Sequence, residues 1–183
     1  MSLRWIPNAI SVMRILLIGP VLVLLIRGEY AWALLLFWLA GLSDGVDGWL
    51  AMRFGWQSKI GALLDPVADK LLIAGMFITL AVIDLVPAWL SAVVILRDLV
   101  IVGGAVAYHF LIEPVSGEPT TVSKLNTLIQ LLFLLCVLSR ATFGWPDSIA
   151  VTVLGAATLV TVVVSGLDYV LRWSGRARRG GIA

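Results

Sequence analysis

The stretch "SDGVDGWLAMRFGWQSKIGALLDPVADK", residues 43–70, places four aspartates in a chain that is otherwise strongly apolar. They are Asp44, Asp47, Asp65 and Asp69. Taking a carboxylate out of water costs several kcal/mol even after the protein relaxes. Ionisable residues in an apolar bundle therefore indicate a functional site by default. The remaining sequence indicates what kind of function that site has.

The composition is that of a membrane protein. Of the 183 residues, 61% are hydrophobic and 13% are charged, and the mean hydropathy is +1.04. Soluble domains carry about 25% charged residues. Several apolar segments of membrane-spanning length follow one another, which predicts an all-α integral membrane protein. The length suits a single transmembrane domain over residues 1–183.

Six membrane spans can be drawn at the ~20 residues that each crossing needs. They cover approximately residues 8–26, 30–52, 60–83, 87–110, 122–140 and 148–172. An even number of spans puts both termini on one side. Most lysines and arginines fall on that side, whereas the opposite loops hold Arg27 and Arg140. The positive-inside rule then predicts a six-transmembrane-helix bundle with both termini cytoplasmic.

The spacing of the aspartates brings them together. Asp44 and Asp47 are three residues apart, and Asp65 and Asp69 are four apart, so each pair shares one helix face. A short loop between the helices makes them antiparallel neighbours. Four like charges in a low dielectric repel strongly, so they either become neutral or hold cations. Carboxylate oxygens suit Mg²⁺ or Mn²⁺, and two such ions would balance the charge and could clamp a phosphate.

This stretch resembles the signature of the CDP-alcohol phosphotransferase family. Every fixed position of the signature but one is matched with full spacing, by Asp44, Asp47, Gly48, Ala51, Gly61, Asp65 and Asp69. At the remaining position the family has an arginine, whereas this chain has Met52, followed directly by Arg53. The segments "IPNAISVMRILLIGP", "LDPVADK" and "SGLDYVLRW" are also similar to phospholipid-making members.

The resemblance implies a reaction. Members move the phosphatidyl group of CDP-diacylglycerol to an alcohol and release CMP. Carried over by position, Asp44, Asp47, Asp65 and Asp69 would bind a pair of Mg²⁺ or Mn²⁺ ions. Asp69 would also be catalytic, as the base that takes the proton of the acceptor hydroxyl. The resemblance further implies a homodimer in a bacterial inner membrane, surrounded by membrane lipids, with its active site on the cytoplasmic side and no nucleic-acid partner.

Two further groups of residues have binding roles by resemblance. Those expected to bind the CDP-lipid are Asn8, Ser11, Gly48, Ala51, Arg53 and Gly61. Those expected to bind phosphate or the acceptor are Arg14, Arg97, Lys124 and Asn126. The glycines could equally serve close helix packing, and the arginines could extend towards the membrane interface.

The candidate acceptors are phosphatidylglycerol, which would give cardiolipin, glycerol 3-phosphate, which would give phosphatidylglycerophosphate, and an alcohol with another polar head group. A phosphate monoester carries a charge near −2 and calls for several cations. The fourth span offers Arg97, and Ala105 stands where members using glycerol 3-phosphate are expected to have a second arginine. The segment "SKLNT" also resembles the cardiolipin-making members. Both features favour phosphatidylglycerol.

A metal-ion transporter is the alternative from another class, because carboxylates inside a bundle also mark ion pathways. A pathway distributes its acids along a route through the membrane, often within an inverted repeat. The four aspartates instead fall at one level of two adjacent spans. This placement favours an enzyme.

Overall fold

The structure is a computed structural model. It describes the backbone of residues 6–54, 61–111 and 121–180. It describes side chains at residue 10 and in residues 12–43, 67–104 and 121–171. Within these ranges the chain forms α-helices and no strand. They are α1 (Ile6–Ile26), α2 (Tyr30–Phe54), α3 (Gly61–Val82), α4 (Ala88–Leu111), α5 (Thr121–Phe143) and α6 (Ser148–Gly180). The all-helical prediction is confirmed.

Each predicted span coincides with one helix, and most ends agree within three residues. The largest difference is at α6, which continues from the predicted end at residue 172 to Gly180. The additional segment contains several arginines, which are good helix formers. A membrane span must stop where the apolar sequence stops, but its helix can continue into water.

Two of the described helices are long and apolar enough to cross a membrane. They cover Thr121–Phe143 and Ser148–Leu171, with hydropathies of 1.8 and 2.2. Shorter apolar helical segments are Val12–Ile26 and Tyr30–Ser43. These segments support a membrane protein, and the six-span topology stays a prediction.

The helices belong to two compact units. The first unit contains α1, α2, α3 and the part of α5 from Leu134 onwards. The second contains α4, α6 and the part of α5 up to Phe133. The division thus falls within α5.

In the first unit, α1 packs against both α2 and α3. The buried apolar side chains of these helices include Val21, Leu25, Ala33, Phe37, Ala40, Ile73, Met76, Phe77 and Leu80. Gly75 marks a close approach, because a Cβ there would lie 3.1 Å from Leu22 Cδ1. Small residues at helix contacts allow this kind of close packing in membranes.

The helices α1 and α3 end in the same backbone motif. Gly28 has a φ of 76° just after α1, and the N–H of Glu29 donates to the carbonyl of Leu24 at 2.9 Å. The equivalent residue after α3 is Asp84, with a φ of 59°. In both cases the chain turns through the left-handed region, which satisfies terminal helix carbonyls. Glycine adopts this conformation without strain, whereas aspartate only tolerates it.

In the second unit, α4 packs against α6, and the first part of α5 joins them. Gly155 on α6 fits tightly here, because an added Cβ would lie 3.3 Å from Cε2 of Phe133 and 3.9 Å from Cδ2 of Leu90. Both of those side chains are buried. The unit therefore has its own apolar core.

Candidate active site

The four aspartates lie on α2 and α3. Asp44 and Asp47 fall in the second half of α2, and Asp65 and Asp69 in the first half of α3. Because α1 packs against both helices, the acid-bearing segments belong to one three-helix group. Of the four side chains, only that of Asp69 is among those the structure describes. Convergence of the other three stays a prediction.

Asp69 is held by an arginine from another helix. Nη1 of Arg14 on α1 donates a hydrogen bond to Oδ1 of Asp69 at 2.7 Å. The side chain of Arg14 is 1% exposed, whereas that of Asp69 is 36% exposed. A charge-assisted bond from a buried guanidinium restricts the orientation of the carboxylate. The partial exposure leaves the same carboxylate accessible to a ligand.

The donor set fits the cations that the sequence predicts. Carboxylate oxygens are the ligands preferred by Mg²⁺ and Mn²⁺, and α2 and α3 carry four aspartates. Among the side chains described, no three histidine, cysteine, aspartate or glutamate residues come together. No metal-binding cluster is therefore found in that part of the chain.

The second unit contains a buried arginine tied to three helices. Nη1 of Arg97 on α4 donates to Oδ1 of Asp98 at 2.6 Å. Its Nη2 donates to Oγ of Ser123 on α5 at 3.1 Å and also to Oγ of Ser165 on α6. Arg97 is 8% exposed. These bonds fix the guanidinium in one orientation.

The environment of Arg97 is polar and spatially confined. Its Nε is buried and has no hydrogen-bond partner among the described residues. A Cβ added at Gly166 would lie 3.6 Å from Cγ of Arg97. Because Gly166 has no side chain, α6 lies close to the aliphatic part of the Arg97 side chain. The guanidinium also has one N–H group without a hydrogen-bond partner among the described residues.

One face of α5 extends this polar region. Ser123, Asn126 and Gln130 are three and four residues apart, which places them on one side of the helix. Asn126 is 0% exposed and Gln130 is 2% exposed. The neighbouring Lys124 is instead exposed. Among the residues predicted to bind phosphate or the acceptor, Arg97 and Asn126 thus belong to the buried polar residues of this unit. Lys124 has the same predicted role but is not buried.

The side chains predicted to bind the CDP-lipid lie outside the described residues. Their backbones belong to α1, α2 and α3, at positions Asn8, Ser11, Gly48, Ala51, Arg53 and Gly61. Met52 and Arg53 are consecutive residues of α2. The role of Arg53 stays a prediction.

Sequence reasoning did not select Ser165 or Gln130 as site residues. Both are polar residues within strongly apolar helices, and such residues are rare enough in membranes to deserve a functional hypothesis. That signal could have identified them as candidates. It could not have identified Arg97 as the partner of Ser165, because the two residues are 68 positions apart.

Comparison with known proteins gives a consistent result. A family profile described as CDP-alcohol phosphatidyltransferase matches residues 4–165. The human protein named cardiolipin synthase (CMP-forming) is 35% identical over 181 residues, which cover 90% of this chain and 60% of that protein. The Streptomyces coelicolor protein of the same name is 33% identical over 153 residues, which cover 79% of this chain and 70% of that protein.

A plant protein whose name specifies glycerol 3-phosphate is also similar to this chain. The rice CDP-diacylglycerol–glycerol-3-phosphate 3-phosphatidyltransferase 1, chloroplastic, is 32% identical over 189 residues, which cover 92% of this chain and 56% of that protein. This chain thus spans about 60% of the length of the human relative and somewhat less of the rice relative.

Proposed function

This chain belongs to the CDP-alcohol phosphatidyltransferase family, and we propose that it transfers the phosphatidyl group of CDP-diacylglycerol to an alcohol with release of CMP. The observation that carries this proposal is the family match over residues 4–165, which includes all four aspartates. The contact between Arg14 and Asp69 supports it, because it orients a carboxylate of that set. The names of the human and rice relatives mention CMP and CDP-diacylglycerol respectively.

The donor would bind where the aspartates are. Asp44, Asp47, Asp65 and Asp69 would hold two Mg²⁺ or Mn²⁺ ions. When bound, such ions neutralise the diphosphate and stabilise the phosphate of departing CMP. The small residues on α2 and α3 would let the diphosphate approach the helix backbone, and Arg53 would add a positive charge beside it.

Asp69 would act as the general base. An alcohol is a poor nucleophile near pH 7, and a positioned carboxylate accelerates its attack by ~10²–10⁴-fold. Asp69 takes the hydroxyl proton as the acceptor oxygen bonds to phosphorus and the bond from phosphorus to the CMP oxygen breaks. The hydrogen bond from Arg14 and the 36% exposure of the Asp69 side chain support this role, because they combine a restricted orientation with access.

Phosphatidylglycerol is the acceptor we propose, with cardiolipin as the product. Asp98 lies 2.6 Å from the Arg97 guanidinium, so the pair offers little net positive charge to a ligand. A phosphodiester of charge −1 suits such a site better than a monoester near −2, because it leaves less charge to neutralise. The exposed side chain of Lys124 adds no buried cation beside Arg97. The names of the human and Streptomyces relatives agree with this choice.

Glycerol 3-phosphate is the second candidate acceptor, and phosphatidylglycerophosphate would be its product. The name of the rice relative favours it. Both acceptors present a glycerol hydroxyl to the same base, so the chemistry at Asp69 would be identical.

We also propose that all six helices cross a bacterial inner membrane, with both termini and the active site on the cytoplasmic side. The apolar character of α5 and α6 supports membrane insertion, and the distribution of lysine and arginine supports the orientation. The family resemblance supports a homodimer.

Purified protein incubated with CDP-diacylglycerol and Mg²⁺ or Mn²⁺ tests the proposal. Phosphatidylglycerol and glycerol 3-phosphate are offered in separate reactions, and CMP and lipid products are measured. We expect CMP and cardiolipin with phosphatidylglycerol. Phosphatidylglycerophosphate as the sole product would make the proposed acceptor wrong. No CMP with either alcohol would overturn the proposed activity.

A further inference from the structure

The interior face of α5 carries two buried carboxamides. Nδ2 and Oδ1 of Asn126, and Nε2 of Gln130, are buried and have no hydrogen-bond partner within the part of the chain that the structure describes. A buried polar group without a partner destabilises the fold, whereas an apolar side chain of similar shape does not. In an apolar bundle this makes a ligand-binding role worth testing.

The two amides follow directly from the contact of Arg97 with α5. Asn126 is three residues after Ser123, whose hydroxyl accepts a hydrogen bond from Arg97, and Gln130 is four residues further. A rise of 1.5 Å per residue puts them ~4.5 Å and ~10 Å along the axis from Ser123. All four residues belong to the second unit. A short polyol on a phosphate at Arg97 would extend along α5 past Asn126 towards Gln130.

The chemistry of the amides differs from that of the arginine. A carboxamide both donates and accepts hydrogen bonds and carries no charge, which suits a hydroxyl group. A guanidinium donates only and suits a phosphate, and Nε of Arg97 has no partner among the described residues. We propose that Asn126 and Gln130 bind the hydroxyls of a glycerol group whose phosphate lies at Arg97. This inference rests on the proposed function and makes the amides specificity determinants for the acceptor.

A purely structural role explains the observations less well. Amides do join helices in membranes, but they do so by bonding to a partner across the interface, and the described residues provide none. Both side chains face the interior of this unit, because Asn126 is 0% exposed and Gln130 is 2% exposed.

Variants of similar shape without hydrogen-bonding capacity test the proposal. In Asn126→Leu and Gln130→Met, we expect the KM for the glycerol-containing acceptor to rise roughly 3- to 10-fold each, the equivalent of about one neutral hydrogen bond. The KM for CDP-diacylglycerol should not change. Thr158→Val is the matched control, because Thr158 is 0% exposed and its hydroxyl donates to Leu154 O in its own helix. An unchanged acceptor KM in both amide variants would overturn the proposal.

A binding measurement without turnover provides a second readout. The Tm of the detergent-solubilised protein is measured with glycerol 3-phosphate, with glycerophosphoglycerol (the soluble headgroup of phosphatidylglycerol) and with inorganic phosphate. We expect a glycerol-containing ligand to raise the Tm of the original chain more than phosphate does. The amide variants should lose that difference and have an unchanged or higher ligand-free Tm. A lower ligand-free Tm with the ligand shift retained would show a structural role and overturn the proposal.

The two readouts separate this inference from the proposed function. A chain that releases no CMP, yet whose ligand shift depends on the two amides, would contradict the proposed activity and support the inference. An active chain whose amide variants keep the original acceptor KM and ligand shift would support the proposed activity and contradict the inference. The relative size of the shifts with the two ligands distinguishes a monoester acceptor from a diester acceptor.

Discussion

The guanidinium of Arg14 on α1 lies 2.7 Å from the carboxylate of Asp69 on α3, across 55 positions of the chain. Arg14 is almost completely buried, and the carboxylate of Asp69 contributes to the compensation of its charge. The pair therefore connects the packing of the first unit to the orientation of the proposed general base.

Replacing Arg14 with alanine should lower stability. Breaking a fully buried ion pair costs about 3–5 kcal/mol, and the 36% exposure of the Asp69 side chain lets water offset part of this. We expect a loss of about 2–4 kcal/mol in the free energy of unfolding, because one charge of the pair disappears. Denaturant unfolding of the purified protein measures it.

The control for this variant is Arg27→Ala, which removes an exposed arginine just after the same helix and should change stability by less than about 0.5 kcal/mol. A double-mutant cycle with Asp69→Asn isolates the pair. Additive effects of the two substitutions would contradict a direct interaction.

Asp69→Asn should suppress turnover while largely preserving metal binding. The amide keeps an oxygen ligand but is far less basic, so we expect a loss of ~10²–10⁴-fold in kcat. Manganese binding, followed by electron paramagnetic resonance, provides the independent readout. Asp84→Asn is a control on an exposed aspartate beyond the end of the same helix. Near-normal turnover in Asp69→Asn would make the general-base role wrong.

Ser165→Ala should loosen the Arg97 guanidinium. The hydroxyl of Ser165 accepts a hydrogen bond from Nη2 of Arg97 in a buried environment, and losing a bond to a charged group costs about 1.5–3 kcal/mol. We expect lower stability by that amount and a raised KM for the acceptor, measured together. Thr152→Ala removes an exposed hydroxyl on the same helix and should change neither quantity. Equal effects of the two variants would argue against the contact.

Substitutions with opposite signs are expected at the left-handed ends of α1 and α3. Asp84→Gly relieves backbone strain at a φ of 59°, and we expect a gain of about 0.5–1 kcal/mol. Gly28→Ala introduces such strain at a φ of 76° and should cost about 1 kcal/mol. Thermal unfolding of both variants checks the pair. A lower Tm for Asp84→Gly would mean that the aspartate side chain contributes more than its backbone conformation costs.

The helices could be predicted from the sequence because they depend on local properties. Apolar segments of sufficient length bounded by polar turns indicate helices, and the six predicted spans coincide with α1 to α6. The end of α6 could not be predicted from hydropathy, because backbone hydrogen bonding continues beyond the apolar sequence.

The aspartate pairs could also be predicted, since spacings of three and four residues determine which side chains share a helix face. This local rule identified Asp69 as a candidate without any knowledge of its surroundings. The family resemblance added the chemistry.

Only the tertiary structure showed that Arg14 is the partner of Asp69 and that Arg97 bonds to Ser123 and Ser165. Helical periodicity determines which residues share a face, but it does not determine which faces meet. That depends on close packing between helices distant in sequence, as at Gly75 and Gly155. The sequence thus defined the helices and the acidic motif, whereas packing decided which arginine contacts Asp69 and left Asn126 buried without a partner among the described residues.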